Sequence, residues 1–443
     1  MTQKSLISIG VVLLLGQPLV GRAQNAHKPV SISPGGTAVI QAEDYDDNGR
    51  GVAYQCRQSR YVCPTGERFP VLAWHSIQPA EELTTARFKE MAECGFNLSL
   101  SSVWGQGVDF MQKAMDSCRG TGVQQVLPGS ILDYAPQFKN NEMVALWYLK
   151  DEPNMAEYAD LRAYKDHVRA IDDSRQLYLN LFPTYASEAQ LGTADYSEYV
   201  QKYADTIGLG IISYDHYPIR VSSGKTTLRT DYYENLRKVS EICRATNQPL
   251  WAFCCSTNHY NYKVTEKWMM RLQVFSDLAY GAQCIQYFTY WLPSGWEGPA
   301  PIGADGQPSE VYDLVKEINQ EVRNLTPVFL GAKIVHVGHI GSSKPANTIE
   351  FKKRPNCISL LTATGPGFLV SHLKNGDNEY LMLVNHSINT TQTVRLTLTD
   401  GLPYKVHRVM PTGELEDTEL GSFSVGVGDY LLFHWNENEN NTL

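Results

Sequence analysis

The sequence has no excess of positive charge: 38 Lys+Arg stand against 47 Asp+Glu, a formal net charge of −9. That balance excludes a basic surface able to hold a nucleic acid or an anionic membrane by counterion release. There is no Cys-x-x-Cys, and no Cys/His cluster has zinc-ligand spacing. The first strand-like run ends in Trp74-His75-Ser76, without the His-x-His pair of a metal-dependent barrel hydrolase. The sequence therefore points to no metal and no cofactor. The turn that follows, Ser76-Ile77-Gln78-Pro79, contains no glycine, against the phosphate-binding turn of an open doubly wound sheet. Long apolar runs are also scarce: only the N-terminus suggests a membrane-related segment, so no membrane insertion is expected. What the chain does have is an ordinary globular composition, 43% hydrophobic and 19% charged over 443 residues, enough for roughly two or three domains. It is also rich in aromatics, with 25 Tyr and 8 Trp, rings that fill cores but also suit stacking on the C–H faces of sugars.

Residues 1–23 read as a signal peptide: Lys4, an apolar run from Leu6 to Leu15, and Gly21-Arg22-Ala23 before Gln24. The run is shorter than the roughly 20 residues of a bilayer span, and no Cys follows that would carry a lipid. The expectation is an exported protein, periplasmic or extracellular, beginning near Gln24. Asn436–Leu443 has nothing to bury and reads as a frayed tail. The nine cysteines are an odd number, so at least one thiol has no partner within the chain. Cys56 and Cys63 are close enough for a local disulfide or are two free thiols; Cys254, Cys255 and Cys284 fall in apolar runs and read as buried thiols.

From Pro70 to about Asn324, short apolar runs alternate with amphipathic stretches, the pattern of parallel strands joined by helices. The runs are Val71–Ile77, Phe96–Ser102, Val123–Pro128, Ala145–Lys150, Leu177–Phe182, Gly208–Tyr214, Pro249–Cys255 and Cys284–Tyr290, and only the interval Gly129–Val144 is a poor helix. Eight such units over 70–326 predict an α/β fold of the (β/α)8 TIM-barrel type, with its site at the carboxyl ends of the strands. After Pro327, short strand-like runs separated by turn signals such as Asn375-Gly376 predict an antiparallel β-sandwich over 327–435. Ahead of the barrel, residues 24–69 read as a β segment capping it; Ala38–Tyr45 resembles the opening of a sugar-binding β-sandwich module, over too short a stretch to make one.

The sharpest chemical signal follows the fourth run. Ala145-Leu146-Trp147-Tyr148-Leu149-Lys150 is apolar almost to its end and then delivers Asp151-Glu152-Pro153. Side chains alternate along a strand, so only one of the two carboxylates is expected to aim straight into the barrel mouth. The competing reading is a solvated loop with acids at a helix start.

With Gly95-Phe96-Asn97, Tyr214-Asp215-His216-Tyr217-Pro218, and Tyr280-Gly281-Ala282-Gln283 leading to Tyr287-Phe288-Thr289-Tyr290-Trp291, the chain from about Pro70 resembles the clan A glycoside hydrolases. The nearest likeness is to family five and family forty-two-like barrel proteins of carbohydrate-degrading bacteria. The resemblance implies a glycosidase for β-linked oligo- or polysaccharides, with Glu152 as the general acid/base and Asp151 helping to raise its pKa. One departure is plain: where these enzymes carry a nucleophilic Glu at the end of strand seven, this chain has Cys254-Cys255-Ser256-Thr257. Asp215 could supply the second carboxylate across the roughly 6.5–9.5 Å gap of an inverting enzyme, Glu297 or Glu266 could swing in, or the barrel binds glycan without cleaving it. For the sugar-stacking rim the positions are Trp74, His75, Trp104, Tyr214, His216, Tyr217, His259, Tyr290, Trp291 and Trp296, with Glu297 beside them. Trp147, Trp251 and Trp268 read as core.

Overall fold

A computed structural model describes residues 53–56, 59–101, 106–264 and 266–438. The export signal, most of the N-terminal β segment, Trp104 and residues 439–443 lie outside the described residues.

Eight parallel strands close into a barrel: β1 (Val71–Trp74), β2 (Leu98–Leu100), β3 (Gln124–Pro128), β4 (Val144–Asp151), β5 (Gln176–Leu181), β6 (Ile212–Tyr214), β7 (Leu250–Cys255) and β8 (Ala282–Phe288). Each is followed by a helix: α1 (Thr85–Glu93), α2 (Val108–Cys118), α3 (Ile131–Phe138), α4 (Tyr158–Ile171), α5 (Tyr196–Thr206), α6 (Tyr232–Thr246), α7 (Lys267–Ala279) and α8 (Glu310–Asn324). β5 and β7 are buried along their whole length, as strands covered on both faces must be. Alternation sorts their side chains. Tyr178 of β5 meets Tyr148 of β4 and Trp251 of β7 at 4.9 and 5.3 Å between ring centroids, and Trp74 of β1 meets Phe253 of β7 at 6.3 Å. The Tyr178–Trp251 and Trp74–Phe253 pairs join strands that are not neighbours, so their rings fill the lumen. Trp147, one residue before Tyr148, faces outward instead and donates its Nε1–H to Asp172 at 2.9 Å.

The interval 129–144, a poor helix by its sequence, does contain one. α3 carries Pro136, yet its face of Ile131, Tyr134, Ala135 and Phe138 is buried, and the Tyr134 ring packs 5.9 Å from Trp147. Packing of an apolar face here outweighs weak helix propensity. Ahead of the barrel, Ala53–Gln55 and Arg60–Val62 pair as a short hairpin. It reaches the amino ends of the strands, where Asn247 Nδ2 donates to the Gln55 carbonyl, and Cys56 Sγ lies 3.7 Å from the Gly210 carbonyl. Cys56 and Cys63 form no disulfide, each thiol facing a different oxygen; all nine cysteines are buried free thiols, and burial pushes Cys56 up to about 12.

The C-terminal strands β9 (Lys333–Ile340), β10 (Ile358–Ala363), β11 (Phe368–Asn375), β12 (Asn378–Asn385), β13 (Gln392–Leu398), β14 (Val406–Val409), β15 (Leu415–Asp417), β16 (Ser422–Val425) and β17 (Tyr430–Asn436) make two sheets. The larger has the order β9-β11-β12-β17-β14-β15 and the smaller β10-β13-β16. The predicted run Thr348–Lys352 contributes only a single bridge, Glu350 to His339. One face of the larger sheet packs on the smaller; the other packs on the barrel through α7, whose residues from Met269 to Ala279 are all buried. Arg271 of α7 lies in that interface, ion-paired with Glu321 of α8 and with Asp429 before β17, and stacked over Phe275 and Tyr430.

Gly95 marks where the first strand–helix unit turns back to the sheet. Its φ is +99°, and a Cβ there would stand 2.4 Å from the Asn319 Cβ of α8. The next polar residue, Asn97, clamps the start of β1 by accepting from the Val71 amide and donating to the Phe69 carbonyl, both at 2.8 Å. Gly95→Ala is expected to cost about 2 kcal/mol or more through combined backbone strain and overpacking, measured as a lowered urea midpoint.

Candidate active site

The end of β4 does not continue as an ordinary strand. Its pairing with β5 shifts register between Tyr148 and Asp151, which sets Asp151 opposite Asn180. The Glu152 amide donates to the Asn180 carbonyl at 2.9 Å, and Glu152 itself turns left-handed with φ +43°. Non-glycine residues pay to adopt that conformation, and it ends strand alternation. The turn is held from both sides: Tyr199 donates its hydroxyl to the Pro153 carbonyl at 2.8 Å, and Asn154 with Glu157 forms a capping box. Both carboxyls therefore join one cluster, whereas alternation alone predicted that only one would. Lys150 pairs with Glu157.

Asp215, one residue beyond β6, completes the cluster. Asn180 donates from Nδ2 to Asp215 Oδ1 at 2.9 Å and to Asp151 Oδ1 at 3.4 Å. The Tyr217 hydroxyl and the Asp215 backbone amide also favour the charged form of Asp215, and the Tyr148 hydroxyl faces Asp151. Glu152 is in hydrogen-bonding contact with Asp215, and among the described residues no amide, hydroxyl or cation donates to its carboxyl.

These carboxyls reach solvent through the barrel mouth but are walled by protein, which weakens their hydration. That burial is the largest cause raising all three pKa values. The charges of Asp215 and Asp151 raise Glu152 further, and nothing opposes it; Asp151 also raises Asp215, but Asn180, the backbone and Tyr217 pull Asp215 back down. The shared proton belongs on Glu152, with Asp215 accepting it.

Around this cluster the structure gathers part of the predicted rim. Trp296 and His259 stack at 5.0 Å and 27°, Tyr217 and Phe288 at 5.4 Å and 29°, and Tyr262 lies 5.0 Å from His259. Tyr260 beside them is 85% exposed. Trp74 sits lower in the lumen, 5.5 Å from Phe288.

Other predicted residues face elsewhere. Tyr214 follows the inward Ser213, so it points outward and is buried against the helices near Tyr196 and Asp277. His216 is buried between Tyr185 and Tyr232, with Asp231 3.4 Å from its Nε2. His75, also left-handed, places its Nδ1 3.2 Å from the Trp291 carbonyl, and burial lowers its pKa to about 4. Tyr290 packs against Phe96, and Trp291 lies beneath the Arg87 guanidinium. Glu297 is exposed in the loop after β8; Glu266 accepts from the Trp268 indole at 2.9 Å and begins α7. Trp147 and Trp251 are fully buried, and Trp268 is partly so.

The end of β7 carries hydroxyls in place of a carboxylate: Ser256 donates to the Thr289 carbonyl at 2.8 Å, and Thr257 and Thr289 hydroxyls are 2.8 Å apart. Asp215 does not stand across a water-sized gap from Glu152; the two are in contact, closer than the spacing expected above. Among the described residues, no cluster of three or more His, Cys, Asp or Glu could hold a metal ion.

Sequence reasoning missed Asn180 and Tyr185. Asn180 is the one polar side chain in Leu177-Tyr178-Leu179-Asn180-Leu181, an inward position near a strand end, and that interruption was the available signal. Tyr185 lies on the loop after β5 with the Arg229 guanidinium 3.8 Å over its ring; burial, and then the neighbouring Asp215, raises its phenol.

The closed parallel barrel with its C-terminal antiparallel sheets is the (β/α)8 fold with a C-terminal β domain that the sequence predicted. Among solved structures, the chain is similar to a GH42 beta-galactosidase from G. stearothermophilus, with a TM-score of 0.53 and 10% identity over 84% of this chain and 98% of that one. An alpha-amylase from Geobacillus thermoleovorans aligns with a TM-score of 0.51 and 11% identity over 84% of this chain and 99% of that one. The chain spans 63% of the length of the beta-galactosidase from the psychrophilic Marinomonas ef1, at 12% identity over 61% of this chain and a TM-score of 0.44. No protein-family model matches the chain, and no curated protein matches it in sequence.

The proton balance at Glu152 has a consequence for stability. Its folded pKa lies above the unfolded value of 4.5, so the folded state keeps a proton that the unfolded chain releases, and this group's contribution declines as pH rises above that value. Glu152→Gln cannot ionise and is expected to melt with the parent near pH 4.5 but about 2 °C higher at pH 8, by calorimetry.

Proposed function

We propose that the protein is an exported glycoside hydrolase acting on O-glycosidic bonds of β-linked oligo- or polysaccharides. The observation that carries this reading is the unequal carboxyl pair at the barrel mouth: Glu152 has no donors among the described residues and its pKa is raised by burial and by the neighbouring acids, whereas Asp215, also raised by burial, has donors that pull it back down. A protonated carboxyl in a walled cleft is a general acid, and a carboxylate beside it is what an oxocarbenium-like transition state requires. A glycosidic oxygen entering the cleft takes the place of Asp215 as acceptor of the Glu152 proton. Asp215, released from that contact, faces the anomeric carbon directly or through a water. The stacked rings of Trp296, His259, Tyr217 and Phe288 supply flat apolar faces for the sugar.

The hydroxyl-lined end of β7 supports a second reading, a barrel that binds glycan without cleaving it. Hydrolysis across a panel of β-linked oligosaccharides separates the two. On the first reading Glu152→Gln and Asp215→Asn each lose about 10²- to 10⁴-fold in kcat while sugar still binds calorimetrically. Binding by a parent that turns over nothing on the panel sinks the enzyme. Trp296→Ala is expected to raise KM about tenfold with little change in kcat, measured on the best substrate of that panel.

Export rests on Lys4, the apolar run and Ala23 in the sequence. Among the described residues, no helix is long and apolar enough to cross a membrane. N-terminal sequencing of protein recovered from the medium or periplasm checks it, and a chain retaining Met1 there would overturn the cleavage near Gln24.

A further inference from the structure

Beneath the carboxyls runs a chain of buried polar side chains. Gln286 of β8 donates from Nε2 to Ser213 Oγ at 2.8 Å, Ser213 donates to Asn180 Oδ1 at 2.9 Å, and Asn180 donates to Asp215 and Asp151. All three links are nearly or completely buried in a lumen otherwise filled by aromatic rings. A burial that costly has to be offset by the bonds it makes.

The direction of these bonds is determined at one end. Were the Asn180 amide reversed, its oxygen would face the oxygens of Asp151 and Asp215, a repulsive contact unless one of them were protonated. With the amide as it stands, Ser213 has one proton to give and gives it to Asn180, so it must receive from Gln286. Every donor in the chain points toward the carboxylates. The order is kept even though it leaves the Gln286 Oε1 buried without a partner among the described residues. The same Asn180 holds Glu152 by its backbone carbonyl, but turns no side-chain donor toward it.

We infer that Gln286, Ser213 and Asn180 form a positioning relay that favours ionisation of Asp215 over ionisation of Glu152 and so leaves the shared proton on Glu152. The relay rests on the glycosidase reading for its purpose, but not for its measurement. It touches neither substrate nor reacting atoms and acts only through the two acids.

The test uses the full chain with Asn180→Leu and Ser213→Ala, alongside the parent, Glu152→Gln and Asp215→Asn. In the parent, carboxyl 13C titration, assigned through the two acid variants, should show Glu152 titrating above Asp215. In Asn180→Leu the order should narrow or invert, and in Ser213→Ala it should move the same way by less. On a hydrolysed substrate, the basic limb of kcat/KM for Asn180→Leu should fall by about one pH unit, a tenfold loss at the parent's limb, with KM within about threefold. A purely structural role would lower the melting temperature and leave both the titration order and the limb in place, and that result overturns the relay. If Asn180→Leu does not fold, Ser213→Ala decides by the same titration. A parent inactive on every substrate defeats the glycosidase reading alone, since the carboxyl titration still reads the relay.

Discussion

Two carboxyls in hydrogen-bonding contact cannot both be charged, and the barrel mouth is arranged around that constraint. Glu152 and Asp215 come from strands that are not adjacent, and they meet because a register shift ends β4 and a left-handed residue follows it. The proton they share is placed by the inequality of their surroundings. Asp215 is furnished with an amide and a phenol, while Glu152 has only the carboxyl opposite. A pair of acids with unlike proton affinities arises in this way from residue types that are chemically almost the same.

Holding three carboxyls close at the end of a sheet requires a rigid frame. The rings of Tyr148, Tyr178 and Trp251 fill the lumen beneath them, and the outer wall is closed by helices. On one side that wall is doubled. α7, buried all round, is held between the barrel and the larger C-terminal sheet, with Arg271 tying Glu321 to Asp429 across the join. A helix without a solvent face is stable only with apolar partners on both sides, so the sandwich serves as part of the barrel's wall. At β7, the place of an acid is taken by Ser256 and Thr257 bonded to Thr289, which ties the loops after β7 and β8 together beneath the aromatic rim.

What could be read in the sequence followed from repetition and from local exception. Eight apolar runs separated by amphipathic stretches specify a barrel because each run must be buried on both faces and each helix on one. Asp151-Glu152-Pro153 stood out because charge interrupted an apolar strand. Tyr214, Tyr290 and Trp291 were assigned to the rim because they lie near strand ends, and proximity to an end says nothing of phase. With a period of two, one residue decides between lumen and helix layer, and Ser213 and Asp215 took the inward positions that Tyr214 could not share.

The sequence by itself determined the number of strands, the place of the site at their carboxyl ends, the acids after the fourth and sixth, and the missing acid after the seventh. Those are properties of local pattern, and burial enforces them strand by strand. Only the tertiary structure decided that Asp151 and Glu152 both turn inward, that Asp215 lies against Glu152 rather than across a gap, and that Asn180 orders the two. Such outcomes depend on a shift of one residue in pairing, on one positive φ, and on contacts between strands 30 or more residues apart in the chain, such as Asn180 and Asp215, paired across 35 positions. None of them leaves a periodic trace in the sequence.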